Sequence, residues 1–230
     1  MRKLYPFTLP EPFGWNGTSP FYPYVNILYA VIACGAALTW LIARYSARLS
    51  FTGLLNITSA LALPAVIFDS LLFIPTVGPH DVLVWLVPLQ FSTAGLVLGG
   101  FLIGMIFGHW YLINTDMPKR LLVRMALILS ATLVLKILAV GITWIVLDHI
   151  STAERNMVDL MISFHGYGLF FWQRVLVGLL IPTIIAYMIW STARIGSNQS
   201  ATGIMYVGVA FIFIGEIIAK FLFLFSTIPL

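Results

Sequence analysis

Apolar runs of about 20 residues or more recur six times along the chain, each long enough to cross the ~30 Å hydrocarbon core of a bilayer at about 1.5 Å per residue. Backbone amides and carbonyls find no water at that depth, so a spanning segment must satisfy them internally, as a helix. The runs place helices at approximately 25–44, 51–75, 85–113, 121–148, 165–193 and 201–227. Composition agrees: hydrophobic residues fill 60% of the 230 positions and charged ones 9%, against about a quarter charged in a water-soluble domain. The expected architecture is all-α, a polytopic integral membrane helical bundle of about six transmembrane helices. No internal repeat, low-complexity tract or long linker divides it.

Residues 1–24 read as an interfacial tail and residues 25–230 as the bundle. The tail carries Arg2 and Lys3 with no apolar segment before Val25, so a cleavable signal peptide is not expected. Its Tyr, Phe and Trp residues, interleaved with Pro and Gly, suit the headgroup level of the lipid bilayer. The single cysteine, Cys34, excludes a disulfide within the chain, an all-cysteine metal site and a self-ligated iron–sulfur cluster. A formal charge of +4 is explained by loop charges, and no nucleic-acid partner is expected.

The loops on one side hold Arg44, Arg48, Lys119, Arg120, Arg124 and Arg194, against Arg2, Lys3 and Arg155 on the other. Six against three puts both termini outside, in a prokaryotic plasma (inner) membrane.

Five ionisable residues other than histidine remain within the expected spans: Asp69, Lys136, Arg174, Glu216 and Lys220. Each costs about 2.5–3.5 kcal/mol at a helix centre on insertion scales, so each should face the bundle interior, a partner or a wet cavity. Counted from the outer helix ends, Asp69 and Lys220 lie about 9 Å deep, Arg174 about 12–14 Å, Glu216 about 16 Å and Lys136 about 18 Å. Glu216 and Lys220, four apart on one face, can pair locally. Structural ion pairs that fix helix register would account for such charges without any ligand. Four helices converging on one level, with Gln173 beside Arg174 and Tyr167 two turns above, favour a polar pocket.

A quinone head group wants that combination: donors to its oxygens, a carboxylate to relay protons and apolar walls for the ring. In this reading Glu216 and Asp69 carry protons, while Arg174, Lys136 and His165, with Gln173, Lys220 and Tyr167, bind the quinone.

Haem b is the alternative cofactor. His165 with His80 or His149 would supply its axial ligands, or His109 paired across the bundle. His109 otherwise belongs with Trp110 and Tyr111 to an interfacial anchor. In the third span Gly100, Gly104 and Gly108 recur every fourth residue beside Gly95 and Gly99, a strip that lets another helix, or a flat ring, approach closely. No Walker loop, HExxH, dinucleotide glycine fingerprint or GxSxG occurs, so nucleotide use and hydrolysis are not indicated. A transporter or proton channel stays open, since Pro64 and Pro182 can break helices near a binding site.

The closing segment GEIIAKFLFLF, residues 215–225, sets a carboxylate four residues before a basic residue and follows it with aromatic and aliphatic positions. It resembles the last helix of the quinol-oxidising membrane anchors of dimethyl sulfoxide and polysulfide reductases. The resemblance implies a helical subunit that exchanges electrons and protons between quinone and a partner subunit bearing iron–sulfur clusters or haem. Glu216 and Lys220 are the residues it carries over.

Overall fold

The computed structural model describes residues 81–114, 117–149, 162–163, 167–226 and 228–230, together with Ile27, Val31, Ile32, Cys34, Pro64, Val66, Ile67 and Ser70. Contacts divide the chain into two units, Met1–Pro79 and His80–Leu230. The described positions of the first unit, all helical, fall within the expected spans 25–44 and 51–75, which otherwise lie outside the described residues.

The second unit consists of helices and their connections, with no strand among the described residues. Its elements are α1 (Asp81–Ile113), α2 (Lys119–His149), α3 (Tyr167–Val175), a π-helical turn (Leu176–Leu180), α4 (Ile181–Ile195) and α5 (Asn198–Ser226). Among the described residues four stretches are long and apolar enough to cross a membrane: Trp85–Ile113, Lys119–Leu147, Gly168–Ile195 and Asn198–Leu224. They match the last four expected spans to within a few residues. This is a multi-pass membrane protein.

Helices that are apolar on all sides are at home in hydrocarbon. Ile103, Ile106, Leu138, Leu176, Ile184 and Ile217 point outward, while Phe101, Leu122, Leu129, Leu133, Ile189 and Met205 fill the interior. Lipid tails are as apolar as leucine, so close packing and interhelical polar contacts, not expulsion of water, hold such helices together. In cross-section α1 packs on α2 and α5, and α4 packs on the same two helices, which closes a four-membered ring.

The glycine strip of α1 serves this packing. A Cβ on Gly104 would stand 3.0 Å from Leu129 of α2, and one on Gly108 2.9 Å from the hydroxyl of Thr202 on α5. That hydroxyl donates to the Gly108 carbonyl at 3.0 Å.

The π-helical turn has a cause in the sequence. Pro182, in the first turn of α4, has no N–H to donate to Gly178 four residues back, and its ring crowds that carbonyl. The backbone widens instead, and the Ile181 N–H reaches the Leu176 carbonyl.

At its far end α4 stops at Gly196, whose φ of 82° is left-handed. The Gly196 and Ser197 amides return to the Ala193 and Thr192 carbonyls, both at 3.1 Å. Gly196→Ala is expected to lower stability by about 1–2 kcal/mol in detergent unfolding titrations, and Gly196→Asn by less, because asparagine tolerates the left-handed region. An alanine variant as stable as the parent would show that the chain can turn another way.

Candidate functional site

A chain of polar side chains crosses the otherwise apolar ring and draws a residue from each of the four spans. Its centre is Glu216 on α5. One carboxylate oxygen, Oε1, accepts a hydrogen bond from Arg174 Nη2 on α3 at 2.9 Å and stands 4.0 Å from Lys136 Nζ on α2. Lys136 also donates to Gln90 Oε1 on α1 at 2.8 Å and to the Gln90 carbonyl at 3.3 Å. Gln90 passes the chain on, its Nε2 donating to Thr143 Oγ1 at 2.8 Å, and Thr143 closes onto the Ala139 carbonyl at 3.1 Å. Lys136, Arg174 and Glu216 are 1%, 2% and 7% exposed, so their pairing takes place away from both lipid and water.

The π turn makes room for the guanidinium. Arg174 Nη1 lies 3.4 Å from the Gly178 carbonyl, the acceptor that Pro182 leaves without its helical donor. Beneath the guanidinium the backbones of Gly178 and Gly215 touch. A Cβ on Gly215 would collide with Gly178 Cα, and one on Gly178 would meet Arg174 Nη1 at 2.6 Å and Gly215 Cα at 2.9 Å.

Not every polar atom of the cluster is satisfied. Glu216 Oε2 and Arg174 Nε are buried with no hydrogen-bond partner among the described residues, although buried polar groups generally have one. Among the described residues two cations face one carboxylate, an excess of one positive charge before Lys220 is counted.

Glu216 also belongs to the wall of a groove of about 510 Å3 between α1 and α5. Phe91 and Leu98 line one side, and Phe213, Ile217 and Phe221 the other, with Glu216 and Lys220 as the charged members. Lys220 Nζ sits 3.4 Å from the centroid of the Phe91 ring, a cation–π contact at the groove edge. Volume and lining suit one ring-sized, mostly apolar guest with a polar end.

The expected site residues distribute unevenly about this centre. Lys136, Arg174 and Glu216 come together, with Lys220 one turn along α5. Lys136 and Arg174 stand behind the carboxylate and are absent from the groove wall. Gln173, next to Arg174, is exposed. Tyr167 begins α3 and His149 ends α2. Asp69, His80 and His165 lie outside the described residues. His109 is exposed, its Nδ1 3.4 Å from the Tyr206 hydroxyl.

Gln90, Thr143, Gly178 and Gly215 are the members that the expected spans did not single out. The signal for Gln90 was a lone amide inside an apolar run, and for the glycines a small residue facing a buried arginine. Comparison with protein-family models, curated proteins and solved structures returned no match.

Proposed function

We propose that the chain is the membrane subunit of a multi-subunit respiratory or electron-transfer complex, with six spans and both termini outside, and that the α1–α5 groove receives the ring of a quinone or quinol. The observation that carries this reading is Glu216 itself. One of its oxygens is fixed by Arg174, and the other has no partner among the described residues, on a residue that walls a ring-sized apolar groove.

A quinol hydroxyl offers the hydrogen bond that Oε2 lacks among the described residues, and Lys220 supplies a donor for an oxygen of the ring. Oxidation of a quinol releases two protons and two electrons. Glu216 is the first acceptor for a hydroxyl proton, and the electrons pass to a partner subunit bearing iron–sulfur clusters or haem. Lys136 and Arg174 bind no substrate here; they hold the carboxylate in place and offset its charge.

The test is saturable binding and cross-linking of a photoreactive azidoquinone to the protein in nanodiscs. Labelling is expected on peptides from residues 91–98 and 213–224, and Lys220→Met should weaken binding about tenfold, equivalent to about 1.4 kcal/mol. Saturable binding that Lys220→Met leaves unchanged, or labelling confined to other helices, would remove the proposal. Copurification from native membranes identifies the partner.

A further inference from the structure

A second groove opens on the opposite side of the ring, between α2 and α4. Its apolar part encloses about 270 Å3 and is lined by Leu127, Leu133 and Ile137 of α2 and by Ala186, Tyr187 and Trp190 of α4. Its two aliphatic hydroxyls are turned back on their own helices: Ser130 donates to the Ala126 carbonyl at 2.9 Å and Thr183 to the Leu179 carbonyl at 2.7 Å. They leave little for a polar guest. Tyr187 and Trp190 are shared with an adjoining space of about 370 Å3, whose other members are Ser191, Arg194 and Ile195. There the Arg194 guanidinium lies 4.6 Å from the centroid of the Trp190 ring.

From Leu127 to Ile137 on α2, and from Thr183 to Arg194 on α4, the groove runs about 15–17 Å. That is one leaflet of a ~30 Å hydrocarbon core. It is apolar along its depth and cationic at its mouth. The mouth also lies at the basic end of the bundle, where Lys119, Arg120 and Arg124 are exposed. Lys119 packs against Gly196: a Cβ there would meet its Nζ at 2.5 Å.

We propose that this groove is a binding site for an anionic phospholipid, one acyl chain lying along α2 and α4 and the phosphate at Arg194. Trp190 and Tyr187 bracket the boundary between the two parts, where amphipathic rings belong. The stacked guanidinium keeps its hydrogen-bond donors available to phosphate oxygens. The assignment is independent of what the α1–α5 groove binds.

The protein in dodecylmaltoside is titrated with phosphatidylglycerol and, separately, with phosphatidylcholine of the same chains, and lipid-bound species are counted by native mass spectrometry. Phosphatidylglycerol is expected to bind about tenfold more tightly, a difference of about 1.4 kcal/mol, and Arg194→Gln, at an exposed position, to reduce the preference to about twofold or less. Val134→Trp, also exposed, should fill the groove and weaken both lipids alike. Equal retention of the two lipids by the parent protein, or a preference that survives Arg194→Gln, overturns the site. So does displacement of phosphatidylglycerol by millimolar inorganic phosphate, which would mark a site for the free anion.

Discussion

Replacing Glu216 by Met is expected to cost the bundle about 3–5 kcal/mol, more than the loss of either cation that faces it. The asymmetry follows from one carboxylate serving two partners. Without it, Arg174 and Lys136 remain buried with no counter-charge among the described residues, where Lys136 falls back on Gln90. Without Arg174 the carboxylate still has Lys136 at 4.0 Å, and without Lys136 it keeps the 2.9 Å bond to Arg174. Arg174→Met and Lys136→Met should therefore each cost about half as much or less, and Glu216→Met combined with Arg174→Met should recover part of the single loss, because a buried pair replaced as a unit leaves no orphan behind. Reversible unfolding in bicelles, run as a double-mutant cycle, measures these differences. Equal losses for Glu216→Met and Lys136→Met would mean that the carboxylate is not the hub.

The last four spans were legible because hydrocarbon imposes a length and forbids unpaired backbone, and apolar runs of sufficient length follow from those two constraints. Their ends shifted by a few residues where charged side chains extend a helix past the apolar core, as Lys119 and Arg120 do at the start of α2. Long basic side chains reach the interface from such positions. The meeting of Lys136, Arg174 and Glu216 followed from burial cost, which charged residues at one depth reduce by sharing an interior.

Partner choice was less accessible. The four-residue spacing of Glu216 and Lys220 suggested a local pair, yet the carboxylate takes its short hydrogen bond from Arg174, 42 residues away, and Lys220 rests on the Phe91 ring. Spacing along one helix says which side chains share a face, not which neighbouring helix that face meets. Gln90 escaped notice for a related reason. A single amide carries no net charge, so its place in an apolar run names no partner, and the position of Lys136 across the bundle reveals its use.

Gly215→Ala is expected to destabilise the bundle by about 1–3 kcal/mol, and Gly215→Val to prevent a stable fold, because the obstacle is backbone and cannot rotate away. A Cβ on Gly215 collides with Gly178 Cα, whereas Cβ atoms on Gly141 or Gly203 meet nothing within 4 Å. Gly141→Ala and Gly203→Ala should thus leave stability unchanged or raise it by up to about 1 kcal/mol through helix propensity.

The same geometry separates the two duties of the glycine pair. At Gly178 the nearest obstacle is the end of the Arg174 side chain, at 2.6 Å, and only then Gly215 Cα, at 2.9 Å. A Cβ on Gly215 meets Arg174 Nη1 only at 3.0 Å, behind the closer Gly178 Cα, so shortening Arg174 to Met should relieve more of the cost of Gly178→Ala than of Gly215→Ala. If Arg174→Met rescues both alanine variants equally, the glycines are there to house the guanidinium. If it rescues neither, close approach of α5 to the π-helical turn is their whole purpose, and the arginine occupies space that the backbones had already made.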